Sequence, residues 1–322
     1  MYKIPLTRIS VRNCARSAKR TSLSYPRLIA SFAVVLCCAM TAQAQLLYKI
    51  SGNGLTEPSY ILGSNHTASI TFVDSIPGLR RVMNDTQQVY LETNDSTDSS
   101  DIDEEMDQYI HLQDGMRIDS LLTADEMQRL TTFMIDSCKI DADDVHVFFD
   151  YKPLPLLFYL DSKSDSYQKA KESNGLPTFD DYFAKEALAQ GKEVGGLESL
   201  AFQLMAVFQA LTLERQKAML MYWVDHQTPP EQKRVSMSVY YRQDLEAIWN
   251  QFTSSYDDPR NFSSEESFKI VTVRNLAWMK KIPSVMSHKS TLFVVGALHL
   301  PGPNGVLSLL RQAGYTIEAV TQ

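Results

Sequence analysis

The sequence predicts an α/β protein: a mixed sheet built from N- and C-terminal strands, with a large central helical insert. Three observations carry this. Short apolar, strand-like runs cluster at the two ends of the chain, at 46–50, 59–62 and 88–92 and again at 291–295 and 315–320. Apolar residues recur at helical spacing through most of the stretch from about 118 to 282. Two of the strand-like runs end in one pattern, glycine, two spacers and histidine: Gly63-Ser64-Asn65-His66 and Gly296-Ala297-Leu298-His299. Each half of the chain then supplies half of one site, so the terminal strands should share a sheet.

The chain has 322 residues, and the first 27 hold seven basic residues and no acid. An apolar run over 28–40 follows and leads to Ala42-Gln43-Ala44. A basic stretch, a short apolar stretch and an A-x-A site are the parts of a secretory signal peptide. A membrane span needs about 20 apolar residues, more than this run has. Neither Cys37 nor Cys38 follows a small residue in the manner of a lipoprotein signal. We therefore expect a signal peptide over 1–44, export to the periplasm or the cell exterior, and no stable membrane anchor once the leader is cleaved. If it is retained, the leader acts as an anchor.

Loss of residues 1–44 removes seven positive charges and takes the net charge from −7 to −14. Such a chain offers no basic patch for a phosphate backbone, which argues against a nucleic-acid partner. Of the four cysteines only Cys138 lies beyond the leader, so no intramolecular disulfide can form. An exported protein without disulfides relies on its core or on a metal. Residues 45–322 are enough for a sizeable core, as one large domain or two intimate subdomains.

Within that domain, 46–50 reads as a strand. Asn53-Gly54 is a hairpin turn, because both residues tolerate positive φ. The return strand at 59–62 delivers Gly63 to His66 at its end. A short helix is expected over 77–83. The strand at 88–92 places Glu92 at its C-terminal edge. Residues 93–107, rich in Asp, Ser and Thr, read as an exposed loop. A helical pattern covers 118–138, with Thr123-Ala124-Asp125-Glu126 capping its second half. Lys152-Pro153-Leu154-Pro155 interrupts, since proline disfavours helix for the residue before it. A further helix starts at Thr178-Phe179-Asp180-Asp181 and is closed by Gly191. Residues 194–199 are short and strand-like. Helices follow over 201–223, over 235–252, and from a Ser263/Glu266 capping box to about Ile282. The run 291–295 is continuously apolar, as in a strand buried on both faces. Residues 304–313 are helical, with Gly314 just past the end. No solenoid-type repeat is present.

A histidine at a strand end stands on rigid scaffold at the rim of a sheet, and glycine leaves space beside it. Neutral imidazole is the commonest nitrogen ligand of transition metals. Two histidines and a carboxylate leave coordination positions open for water and substrate. The paired motifs therefore predict that His66 and His299 meet around one divalent metal ion, with Glu92 as the carboxylate. One G-x-x-H alone carries little, because a lone strand-end histidine is ordinarily structural or solvated. The remaining histidines, His111, His146, His226 and His288, lie in polar contexts and are expected to be solvated.

Two more polar residues stand out. Arg274 lies between Ile270 and Trp278 in an apolar helical stripe. By pattern alone its stem snorkels to solvent; the sharper reading is a buried guanidinium that pairs with a carboxylate or grips substrate. Glu198, after Gly195-Gly196-Leu197, is a candidate partner or further ligand, or else a carboxylate favoured by a helix N-terminus.

Several segments, in order, resemble the TraB/PrgY/GumN family, which includes the Tiki proteases. They are Tyr48-Lys49-Ile50-Ser51-Gly52 with Leu62-Gly63-Ser64-Asn65-His66, then Val89-Tyr90-Leu91-Glu92-Thr93. Phe179-Asp180-Asp181-Tyr182-Phe183 comes next, with Gly195-Gly196-Leu197-Glu198-Ser199 and Gln203. Arg274-Asn275 follows, and Val294-Val295-Gly296-Ala297-Leu298-His299-Leu300-Pro301-Gly302 is last. The resemblance spans about residues 46–320. It implies a divalent-metal-dependent protease-like hydrolase (Mn, Co or Zn) acting on a peptide or protein substrate. It implies that His66, Glu92 and His299 form the metal site, Glu92 and Arg274 act in catalysis, and Glu198 and Asn275 are neighbours. The first motif departs from the family where Asn65 and Thr67 replace residues that are often apolar. The alternative expectation is a non-catalytic envelope protein that binds a peptide or glycan in the same pocket.

Overall fold

Six strands form one mixed sheet in this computed structural model, which describes residues 45–66, 68–94, 106–163, 179–226 and 237–321. The leader at 1–44, most of the loop expected over 93–107, Thr178 and the start of the helix expected over 235–252 lie outside the described residues. The described residues belong to one compact unit, Ala42–Gln322. Among them no helix is long and apolar enough to cross a membrane.

The strands are β1 (Leu47–Gly52), β2 (Ser59–Ser64), β3 (Gln88–Leu91), β4 (Glu193–Gly196), β5 (Thr291–Gly296) and β6 (Tyr315–Ala319). Their order across the sheet is β4-β3-β5-β2-β1-β6. β1 and β2 form the antiparallel hairpin that Asn53-Gly54 predicts, with φ of 45° and 84° at those two residues. β6 lies antiparallel along the other side of β1. β4, β3, β5 and β2 run parallel to one another. The N- and C-terminal strands thus share a sheet, and the strand-like stretch within the insert becomes its edge strand. β5, apolar throughout, is central, and Thr291 to Val295 are all fully buried, as befits a parallel strand covered on both faces.

Topology alone does much of the placing. β2 and β5 pair in parallel with Ser64 opposite Gly296, so the two G-x-x-H stretches leave the sheet side by side. β3 lies on the other side of β5 and points the same way. The carboxyl ends of these strands form the rim where open α/β sheets bind ligands.

Two hydrophobic clusters support this rim. One surrounds the sheet and includes Phe179, Phe183, Trp278, Phe293 and Leu300. The other belongs to the helical region and includes Leu130, Phe148, Leu160, Leu220 and Ile270.

The insert is more broken than the periodicity predicts. The pattern over 118–138 splits into Ile118–Leu121 and Ala124–Asp136, because Thr123 and Glu126 form a capping box. The helix expected over 201–223 is two, Leu200–Phe208 and Leu213–Asp225, with Thr212 capping the second. The helix expected over 235–252 is interrupted at Gln243 (φ 60°), and Asp244 caps the run Leu245–Thr253. Pro153 does not interrupt a helix; it opens one, Pro153–Ser162, where its missing N–H costs nothing. The helix begun by the Ser263/Glu266 capping box passes through a π-helical turn, Phe268–Thr272, before Val273–Trp278. It ends there, and Ile282–His288 forms a separate helix.

Candidate active site

The site is assembled around Arg274. Its helix, Val273–Trp278, follows the π-turn and buries Arg274, Asn275 and Trp278. π-turns inside helices are frequent at functional sites. Arg274 is only 4% exposed, so the snorkelling that its sequence pattern favours does not occur. Its Nη2 donates to Glu92 Oε2 at 2.5 Å, and its Nε donates to Glu198 Oε1 at 2.8 Å. Its Nη1 lies 3.1 Å from Nε2 of His299. One guanidinium thus reaches two carboxylates and an imidazole, the fork geometry that a lysine cannot supply.

Each partner is held by other elements. Glu92 follows β3, and its Oε1 accepts the Gly296 backbone N–H at 2.7 Å. Gln203 Nε2 donates to both Glu92 (3.0 Å) and Glu198 (3.2 Å). Glu198 is drawn beside Glu92 because β3–β4 pairing continues past the strands: its N–H donates to the Glu92 carbonyl at 2.9 Å. Gly196 makes this possible, since a Cβ there would come within 2.7 Å of the Asn94 nitrogen. The second Glu198 oxygen accepts from Trp278 Nε1 at 2.8 Å.

His299 is buried, with its ring 4.4 Å from that of Trp278. Its Nδ1 donates to Asn275 Oδ1 at 2.6 Å. Asn275 is in turn fixed by donating to the carbonyls of His299 and Asn304. The proton is therefore on Nδ1, and the Nε2 lone pair faces Arg274. Burial, with the positive charge of Arg274 and the nearby His66, pushes His299 down to about 4 against the opposing pull of Glu92. It is a neutral imidazole near pH 7.

His66 differs. Its side chain is 63% exposed, and its Nδ1 forms an ion pair with Asp180 of the helix Phe179–Ala189. Apart from that contact, Asp180 Oδ2 is buried without a hydrogen bond. The Asp180 pairing raises His66 to about 9 against the opposing effect of desolvation, with Glu92 and Asp181 adding to the rise. Burial alone would raise Glu92, but His299, charged at the low pH where Glu92 titrates, Arg274 and the Gly296 amide hold it down at about 2. Glu198 is shifted upward by burial, with Arg274 opposing.

His66, Glu92, Arg274 and His299 all line one cavity of about 610 Å³. All six predicted site residues, Glu198 and Asn275 among them, are therefore in or against one site. Three residues were not singled out as site residues from sequence: Asp180, Trp278 and Gln203. The signal for Asp180 was the acidic first turn of a helix, which reads equally well as dipole compensation.

The TraB/PrgY/gumN family model matches residues 46–319 of the chain. The chain belongs to that family. Among curated proteins and among solved structures nothing matches it. For this TraB/PrgY/gumN member the question is whether the site suits the divalent ion that the resemblance implies. The donor chemistry fits. Two imidazoles and an ionised carboxylate line one cavity, and each histidine has its Nδ1 tied to a side-chain oxygen, Asp180 or Asn275. That arrangement leaves Nε2 as the ligating atom and is the usual support of metal-bound histidines; His66, raised to about 9 and so protonated near pH 7, gives up its Nε2 proton to an incoming ion. His299 Nε2 is 3.9 Å from Glu92 Oε1. Among the described residues no three His, Cys, Asp or Glu side chains converge as a ready seat. Arg274 stands between two of the donors, and an ion taking His299 Nε2 must displace its Nη1.

Proposed function

We propose that the chain is an exported, metal-dependent hydrolase that cleaves peptide bonds in this cavity. The observation that carries the reading is the pair of Nδ1-anchored histidines beside an ionised Glu92, next to a buried, charged Arg274. His66, Glu92 and His299 would hold the ion, which when bound supplies Lewis-acid polarisation and an activated water. The family's Tiki proteases support a peptide substrate.

The chain's own residues have separable tasks. Asp180 and Asn275 keep the protons of His66 and His299 on Nδ1. Glu92 is a poor general base, because a carboxyl held at about 2 binds a proton weakly at neutral pH. Its task is to ligate and to anchor Arg274. Arg274 is the donor for an oxygen on which negative charge develops, and burial strengthens that interaction. Glu198 and Gln203 keep Arg274 in place, and Trp278 shields His299 from water.

A second reading rests on the Arg274 network itself. Its hydrogen bonds to Glu92, Glu198 and His299 are already made, which suits a pocket with a fixed charge pattern that binds a peptide or glycan without cleaving it. Metal analysis of the isolated protein separates the two readings. It should be followed by peptide-library hydrolysis with added Mn²⁺, Co²⁺ or Zn²⁺ and with chelator. The hydrolase reading expects bound metal, cleavage, and loss of both in His66→Ala and His299→Ala. If both variants hydrolyse the library as well as wild type does, the reading is wrong. Export is checked separately by the N-terminus of protein recovered outside the cytoplasm, expected at Gln45.

A further inference from the structure

Besides the polar groups, the cavity is lined by an apolar arm from the helix Leu245–Thr253 and the segment that contains the π-turn. The walls of this arm are apolar: Ile248, Phe252, Phe262, Ile270, Val271 and Leu298. All but Ile270 are only half-buried, so their apolar surface faces an open space. The arm is continuous with the site, since Ile270 and Leu298 each stand close in sequence to Arg274 and His299. The whole cavity, at about 610 Å³, falls within the range of about 300–1,000 Å³ typical of small-ligand sites, more than the reacting atoms of one amide bond require.

We infer that this arm is a specificity pocket for a bulky apolar side chain, aromatic or large aliphatic, next to the bond that is cleaved. The inference rests on the hydrolase reading for the cleavage, but not for the binding. Two features decide the occupant. Burying one aromatic side chain removes about 150–250 Å² from water, which half-buried apolar walls reward and a charged side chain cannot exploit. The polar groups among those walls are neutral, Gln251, Ser255 and Asn261, and suit the amide groups of a peptide backbone. A charged headgroup would find no counter-charge within the arm. The charges of the cavity belong to His66, Glu92 and Arg274, the last two clustered with His299, and the scissile carbonyl would lie beside them.

Two measurements on the isolated protein test this together. The first is kcat/KM for peptides that differ only at the residue flanking the cleaved bond: Phe, Leu, Ala, Asp and Lys. The second is calorimetric binding of N-acetyl-phenylalaninamide and N-acetyl-alaninamide, which needs no turnover. The expected result is a preference for Phe or Leu over Ala of at least about tenfold in both. Ile248→Ser and Val271→Ser should each cut that ratio severalfold, with circular dichroism confirming the fold. Cleavage without an apolar preference overturns the specificity pocket and leaves the hydrolase reading standing. Apolar-selective binding without cleavage of any peptide does the reverse. A preference for Asp or Lys, or equal binding of the two amides, overturns the pocket outright.

Discussion

The ends of β2 and β5 carry the same G-x-x-H device on adjacent parallel strands, yet the two histidines differ in nearly every physical respect. His66 is largely exposed, paired with a carboxylate and shifted to about 9. His299 is sealed beneath Trp278, hydrogen-bonded to a neutral amide, faces a guanidinium and is shifted to about 4. The local pattern fixes where each ring stands. The partners that set its charge come from elsewhere: Asp180 from the helix Phe179–Ala189, and Arg274, Asn275 and Trp278 from the helix Val273–Trp278. The strand ends supply position, and the inserted helices supply electrostatics.

The sharpest way to break this contrast is to remove the cation that defines the His299 side. Arg274→Met leaves Glu92 and Glu198 without their guanidinium, and Glu198 is already pushed upward by burial. Deleting one partner of a buried ionic cluster costs about 3–5 kcal/mol. Denaturant unfolding should show a loss of that size, and Glu198→Gln in the same background should recover part of it. Arg274→Lys should not restore the wild-type value, because an ammonium cannot bridge three groups in a fork. A stability change under about 1 kcal/mol in Arg274→Met would show that the cluster is wetter than its burial implies.

Next in size is the direct exchange of roles. His299→Ala removes a buried ring from against Trp278 and orphans Asn275 Oδ1, so we expect a loss of about 2–4 kcal/mol. His66→Ala removes an exposed ring but leaves the buried Asp180 Oδ2 without its partner, so a smaller loss of about 1–2 kcal/mol is expected. Both should lower hydrolysis by about 10²-fold or more. Equal destabilisation by the two substitutions would mean that the strand ends are not electrostatically distinct. The asymmetry is sharpest if activity falls alike and stability does not.

Much of this was legible in the sequence, for definite reasons. Strand-length apolar runs and the Asn53-Gly54 turn fixed the hairpin, and the all-apolar 291–295 run marked β5 as covered on both faces. That the two glycine ends lie on adjacent, parallel strands was not legible, because strand order does not follow from the pattern of each strand. Glu92 was found because a charge at the end of an apolar strand is unusual. Arg274 was harder: a 3.6-residue stripe does not say whether a long side chain inside it folds inward or reaches solvent. The π-turn that precedes it shifts the helix register and has no sequence signature in the periodicity. Asp180 escaped because a carboxylate in a helix's first turn is satisfied by the dipole as readily as by a distant histidine. The breaks at Thr212 and Asp244 escaped because these residues end and restart helices without a glycine or proline, whereas the Thr123 cap was legible.

Titration reads the contrast directly. In chelator-treated protein, the ring signals of His66 should shift near pH 9 and those of His299 near pH 4. The stability effects have opposite placement. His299 is neutral when folded. As pH falls from about 6.5 to about 4, the unfolded chain takes a proton that the folded one refuses, and stability drops. His66 has a raised value, so its contribution is complete below about 6.5 and is lost as pH rises through about 9; solvent exposure keeps it small. Two rings that both titrate near 6.5 would erase the distinction between the strand ends. Asp180→Asn should lower only the His66 value.

The smallest effects belong to the two glycines. A Cβ at Gly63 would stand 3.0 Å from Leu300 Cδ1 and 3.1 Å from the Ala297 Cα. The first neighbour can give way, but the second is backbone. Gly63→Ala should therefore cost about 1–2 kcal/mol of stability through overpacking. A Cβ at Gly296 would meet only Glu92 Oε1, at 3.2 Å, and His299 Cδ2, at 3.6 Å. Gly296→Ala should leave stability within about 1 kcal/mol but push the Glu92 carboxylate a few tenths of an ångström. Displacements of about 1 Å cost about 10²-fold in rate, so a shift of this size should cost about tenfold or less. The ratio of activity loss to stability loss is thus expected to be high at the β5 glycine and low at the β2 glycine, and the reverse ratio would place the reacting centre nearer the His66 side.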